Sequence, residues 1–253
     1  LMTESNRATR EQEQYDVGLD RDRYESVLSY SDYFYRQRRE EILRVEMEYA
    51  SSRVALELGS VAWSALIEPH NIRPAELHCI NISQAELEKG IELAETSVTK
   101  PKFSIMDANH LEYEDKFFDV VFGFGILHHL DYTRALDEIL RVLKSDGKMI
   151  FFEPLDNNPI GKIVRFLTPH ARTVDEKPLK FYELREFKKR FEHKEYYEGF
   201  LSVPFGVISK FLFRSPDNIM TRFGYKADLW VDRHFPFVRP FYRHIVIVGQ
   251  PKV

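Results

Sequence analysis

The sequence predicts an α/β fold, with a mostly parallel sheet covered by helices on both faces. Three observations carry that reading. Short apolar runs such as "VAL" (54–56) and "FFDVVFGFG" (117–125) recur along the chain. The stretches between them repeat their apolar residues at helical spacing. Several runs end in a glycine or a polar residue, where a ligand loop would begin. Strands alternating with helices demand right-handed crossovers and a sheet buried on both sides, and 253 residues suffice for one such domain.

Residues 1–20 are charged and poor in apolar anchors, and read as a loose tail. Residues 21–50 read as a helical cap of one or two helices. Val27, Tyr30, Phe34, Ile42 and Val45 recur at helical spacing there, with no Gly or Pro. The α/β domain is expected over 51–253. "RVALELG" (53–59) is strand one and "AELHCINIS" (75–83) strand two; Pro69 and Pro74 keep the helix between them short. "QAELEKGIELAETS" (84–97) is amphipathic, with Leu87, Ile91 and Ala94 on one face. "PKFSIMDA" (101–108) and "KFFDVVFGFG" (116–125) are strands three and four. A helix over 132–143 closes in the turn "KSDG", and "KMIFFEP" (148–154) is strand five. Beyond Pro154 come turn dipeptides and a basic helix, then "EHKEYYEGFLSV" (192–203) and "YRHIVIVGQ" (242–250), expected as an antiparallel edge. Between these two lies an aromatic-rich insertion, 203–241. It could pack as extra helices, close over a substrate as a lid, form a homo-oligomer interface, or dock "GVISKFLFR" (206–214) on a membrane surface.

Composition narrows the function. With 36 basic and 40 acidic residues and no arginine-rich run, nucleic acid is not an expected partner. The lone Cys79 excludes an internal disulfide and fits a reducing compartment. The N-terminal stretch lacks an apolar signal region, and no run approaches the roughly 18 apolar residues of a spanning helix, so a cytoplasmic protein is expected. No H-x-x-x-H or C-x-x-C occurs, so no metal is expected. The absence of G-x-S-x-G and of G-x-G-x-x-G argues against hydrolase and dehydrogenase chemistry.

Five pieces in order carry a family resemblance: Phe118–Val121, Leu127–Leu130 as L-H-H-L, Glu138–Leu143 as E-x-x-R-V-L, the turn Lys144–Gly147, and Glu153-Pro154. Over about residues 53–155 the chain resembles the class I S-adenosylmethionine-dependent methyltransferases of small-molecule type. The resemblance implies a Rossmann-like fold with a seven-stranded, mostly parallel sheet and an antiparallel edge. It also implies S-adenosylmethionine as cofactor and methyl transfer to a small-molecule acceptor at oxygen or nitrogen, a secondary metabolite or a sugar being candidates. A fold that has lost methyl transfer is the alternative.

By the same resemblance, Glu57, Gly59 and Ser60 form the first cofactor loop. Asn81 and Ile82 end strand two, where an acid usually takes the ribose hydroxyls. Asp107 and Ala108 hold the adenine, and Gly125 lies beside the methionine portion. Two departures stand out. Family loops read roughly E-x-G-x-G-x-G, but Val61 and Trp63 occupy the second and third glycine positions. A β-branched Val61 is expected to force a different turn, and Trp63 to lie near the carboxylate end of the cofactor. The spacing from Gly59 to Asn81 still matches. Asn81 in place of an acid gives up the charge-assisted part of its hydrogen bonds.

His129, and after it His128, are candidate general bases because they follow strand four and titrate near neutrality; packing or helix capping explains them as well. His170, with Arg172 and Asp175, is a further candidate in a charged loop. Tyr24, Tyr30 and Tyr35 could close over the cofactor from the cap, or pack in the core.

Overall fold

The structure, a computed structural model, describes residues 22–167 and 178–252. The expected tail and the loop with His170, Arg172 and Asp175 lie outside the described residues. So does the side chain of Tyr24.

Helix α1 (Asp22–Met47) is a single element of 26 residues, followed by a 3-10 turn at Glu48–Ala50. The remainder runs β1 (Val54–Leu58), α2 (Ala62–Leu66), β2 (Glu76–Asn81), α3 (Gln84–Thr96), β3 (Lys102–Ile105) and β4 (Phe118–Phe124). Then come α4 (Tyr132–Val142), β5 (Leu143–Pro154), α5 (Pro159–Leu167), α6 (Leu184–Arg190) and β6 (Phe191–Glu198). Last are α7 (Ser202–Leu212), α8 (Ile219–His234), a 3-10 turn at Pro236–Phe241 and β7 (His244–Pro251).

The seven strands form one sheet in the order β3-β2-β1-β4-β5-β7-β6. The antiparallel edge is the β7–β6 pair. Only β7 is reversed, against β5 on one side and β6 on the other, so the outermost strand points the same way as β1 to β5. Strand β4 shows why its sequence is almost wholly apolar. Phe118 and Val121 enter the core on the α4 and α6 face, while Val120 and Phe122 enter the core under α1 and α2. A strand buried on both faces has no polar side to show.

Strand five begins earlier than expected. The "KSDG" turn is an irregularity within β5, where pairing with β4 jumps from Phe118↔Leu143 to Val120↔Lys148. Conversely, the strand expected over 192–203 stops at Glu198, because Gly199 turns at φ +80° and α7 follows.

The cap and the insertion form one helical unit. Ser31 Oγ donates to the Val203 carbonyl at 3.2 Å, and a Cβ on Gly206 would stand 2.3 Å from Ser31 Oγ. Tyr35 donates to the buried carboxylate of Asp228 at 2.9 Å, and Tyr30 to the Phe213 carbonyl at 3.0 Å. Both tyrosines thus bond within this helical unit. Asp228 also accepts the N–H groups of Phe200, Leu201 and Ser202, which would otherwise be orphans at the start of α7. At its other end α1 is anchored by Glu46, bonded to Lys148 of β5 at 2.8 Å and Lys194 of β6 at 2.9 Å.

Candidate cofactor and acceptor site

The carboxyl ends of β1, β2 and β4 and the loop that follows β3 bring Glu57, Asn81, Asp107 and Gly125 to one rim, where open α/β sheets bind ligands. The first loop is built around Glu57. Its Oε1 accepts from the N–H of Val61 at 3.1 Å and Ala62 at 2.8 Å; its Oε2 accepts from Trp63 N–H at 3.0 Å and from the Cys79 thiol at 3.6 Å. The carboxylate therefore satisfies the N–H groups that start the short α2. Burial pushes the carboxyl up to about 7, against the pull of those donors. Burial also raises the Cys79 thiol well above its ordinary value, which leaves it unreactive.

The loop accommodates both non-glycine residues. Val61 sits at φ −133°, so only Gly59, at φ +131°, uses a backbone conformation that favours glycine. The Trp63 indole is fully buried in the core under α1, with Leu43, Met47, Leu66 and Phe122, and its Nε1 donates to the Ser60 carbonyl at 3.1 Å. A Cβ on Gly90 of α3 would meet the Ser60 carbonyl oxygen at 2.1 Å, so that glycine lets the helix pack directly against the loop.

Ser60 is buried and donates its hydroxyl to the Glu86 carbonyl at 2.7 Å. Its remaining lone pairs face Asn81, whose Nδ2 donates to Ser60 Oγ at 3.2 Å, while Asn81 Oδ1 accepts from Ser83 N–H at 3.0 Å. An amide suits this position where a carboxylate would set acceptor against acceptor. Ile82 is half-buried in the same turn, and Ala108 is buried. Asp107 Oδ1 accepts from the N–H and side-chain amide of Asn109, whose own oxygen accepts from Asp131 N–H at the start of α4. Asn109 thus locks the loops after β3 and β4 together.

Gly125 ends β4 at φ +60°, and a Cβ there would meet nothing nearer than His128 Cε1 at 3.7 Å. Beyond it lies a second buried glutamate. Glu153 Oε1 accepts from Ile126 N–H at 3.0 Å and Leu127 N–H at 2.9 Å, and its Oε2 lies 2.7 Å from His128 Nδ1. Burial raises this carboxyl, too, to about 7. The rings of His128 and His129 lie against each other, tilted by 40° with centroids 4.1 Å apart. Glu153 escaped sequence reasoning as a site residue. Its signal was there, since a lone acid closing the apolar run "MIFFEP" repeats the pattern of Glu57 in "VALELG". The E-x-x-R motif is a clamp: Arg141 holds Glu138 at 2.9 and 2.8 Å and the carbonyls of Leu111 and Tyr113 at 2.7 Å each.

Among the described residues, no cluster of three or more His, Cys, Asp or Glu is placed to hold a metal ion. None of the described helices is long and apolar enough to cross a membrane.

The fold places these residues on the rim where open α/β sheets take their ligands, and comparison with known proteins gives what the chain is similar to. Residues 56–151 match the family described as "Methyltransferase domain". The chain is 48% identical over 59 residues to a demethylmenaquinone methyltransferase of Lactobacillus johnsonii, covering 22% of this chain and 24% of the relative. It is 30% identical over 135 residues to that of Staphylococcus aureus, covering 52% and 54%. A glycine/sarcosine/dimethylglycine N-methyltransferase of Actinopolyspora halophila is 30% identical over 87 residues, covering 33% of this chain and 15% of the relative. These matches thus span only part of the curated relatives' length. Among solved structures, geranyl diphosphate C-methyltransferase from Streptomyces coelicolor superposes with a TM-score of 0.60 at 14% identity, covering 86% of this chain and 79% of that one. The [4+2]-cyclase SpnF gives 0.55 at 16%, covering 85% and 81%. A methyltransferase-domain match over residues 56–151 and a fold shared with solved methyltransferases are thus what the chain has in common with these proteins.

Proposed function

We propose that the protein transfers a methyl group from S-adenosylmethionine to the oxygen or nitrogen of a small molecule. One observation carries the reading: at the adjoining ends of β1 and β4, Gly59 and Gly125 both hold positive φ and leave the backbone bare, while the Trp63 indole points into the core. A cofactor can approach such a backbone without meeting a Cβ. Asn81 and Ile82 would flank the ribose, Asp107 and Ala108 the adenine, and Gly59 and Gly125 the methionine arm. Glu57 and Ser60 would act through the loop they hold. The bound sulfonium supplies the methyl group and its leaving group. What this chain adds is orientation, exclusion of water and a place for the acceptor's proton.

For that proton His128 is the better placed of the two histidines. Glu153 at 2.7 Å favours the tautomer protonated on Nδ1, which makes Nε2 the basic nitrogen. His129 packs against it, ring tilted to ring, and supports its position. Relatives named as acting on demethylmenaquinone or glycine show that the family spans unlike acceptors.

A second reading, a fold that has given up methyl transfer, is favoured by Asn81, whose oxygen and nitrogen both have partners within the protein. Thermal shift separates the two. S-adenosylmethionine and S-adenosylhomocysteine should each raise the unfolding midpoint, by about 2.7 kcal/mol of stabilisation at a hundredfold excess over Kd, whereas ATP and NAD should not. Absence of a shift with all four at millimolar concentration would favour the second reading.

A further inference from the structure

We propose that α5, α7 and α8 form a docking face for an anionic lipid bilayer, seating the rim of the proposed site at the lipid–water interface. Topology gathers these elements on that rim. Helix α5 leaves β5, and α7 leaves β6, at the carboxyl ends of those strands; the 3-10 turn at 236–241 enters the reversed β7 from the same side. Large apolar side chains stand exposed there, with Phe211 at 84%, Phe166 at 81%, Ile219 at 75% and Phe237 at 73%. Along α8, Ile219, Phe223 and Trp230 fall on one stripe, spaced four and seven residues apart. Apolar surface of this kind, concentrated on neighbouring helices, marks an interaction site rather than ordinary surface.

The face is rigidly mounted. Gly206 packs on Ser31, Gly224 on Ser202 and Phe205, and Asp228 fixes the start of α7. Ile160 of α5 and Val207 of α7 both pack against the cluster of Leu28 of α1 and Val203 of α7, so α5 belongs to the same body.

Charge selects the occupant. Arg214, Lys226 and Arg233 are exposed among these apolar residues. The acids of the segment are engaged: Asp217 with Arg222, Asp232 with Arg239, and Asp228 in the interior. A basic, aromatic face on a chain of net charge −4 complements an anionic lipid surface. A second copy fits less well, because a two-fold interface sets the same basic residues against one another. The proposal rests on the functional reading for what the rim does, but its test requires neither cofactor nor activity.

The test uses the full chain with vesicles of phosphatidylcholine alone, and with roughly one-third phosphatidylglycerol. Of the two tryptophans, Trp63 is fully buried and Trp230 is exposed, so a blue shift on binding reports the docking face. The expected result is co-sedimentation with anionic vesicles that weakens with salt, with Trp230 emission blue-shifted and quenched by brominated lipid. Phe211→Ser with Ile219→Ser should lower the partition coefficient about tenfold or more with unchanged folding. Arg214→Glu with Lys226→Glu should remove the preference for anionic vesicles. Vesicle binding equal in the wild type and the apolar variant would overturn the proposal. So would no binding at all, whether the protein is a monomer or a dimer that the same variant dissolves. Nucleoside binding without vesicle binding would sink this proposal alone; vesicle binding without nucleoside binding would sink only the functional one.

Discussion

Restoring the family's glycines should damage this protein rather than open it. In Trp63→Gly the fully buried indole leaves the core under α1, where truncating a large aromatic costs about 3–5 kcal/mol. The Ser60 carbonyl loses its N–H donor, a further 1–3 kcal/mol or so. Glycine inside α2 adds roughly 1 kcal/mol. The total, at least about 5 kcal/mol, rivals the whole stability of an ordinary domain. Val61→Gly is the matched control: with φ −133° and an exposed side chain, it should cost less than about 1 kcal/mol and leave nucleoside affinity within roughly threefold. Urea denaturation of both variants, with calorimetric titration of S-adenosylhomocysteine, measures these values. If Trp63→Gly stays within about 1 kcal/mol of the wild type and binds the nucleoside tenfold more tightly, the indole occupies the site and the reasoning fails.

Three further outcomes are expected. Gly206→Leu should drive α1 and α7 apart, since even a Cβ would stand 2.3 Å from Ser31 Oγ, and cost about 2 kcal/mol or more in chemical denaturation. Arg141→Ala should unpin residues 111–115 and lower stability by about 2 kcal/mol, with faster amide exchange at Leu111 whose N–H bonds Glu138. Glu57, Glu153 and Glu198 are each raised by burial from 4.5 to about 7, so the folded state holds protons that the unfolded chain has released. Their stabilisation is full below about pH 4.5 and lost as pH rises through 7; the unfolding midpoint should be higher at pH 5.5 than at 7.5, and a flat or opposite trend would refute this.

What the sequence made legible follows from burial. Strands covered on both faces must be apolar throughout, so β1, β4 and the core of β5 announce themselves, and the residues that close the runs, Glu57, Asn81, Asp107 and Gly125, mark the rim. The direction of the Trp63 ring was not legible. The chain turns into a single short helix there, and which side of the backbone a ring leaves depends on the partner waiting for it, here the core beneath α1. Nor could Gly90 be linked to Ser60, since their contact belongs to packing between α3 and the loop. The pairing of cap with insertion joins residues 193 positions apart at Tyr35 and Asp228, a separation no local pattern encodes. The insertion's aromatics were legible as unusual, but which of them face outward depended on that pairing.

A crystal structure of the wild-type protein at saturating S-adenosylhomocysteine tests the account most directly. Adenosine should lie between Asn81 and Asp107, with the homocysteine arm along Gly59 and Gly125, and the Trp63 indole still bonded to the Ser60 carbonyl. Density for an indole turned out of the core into that position, with no nucleoside bound, would contradict it.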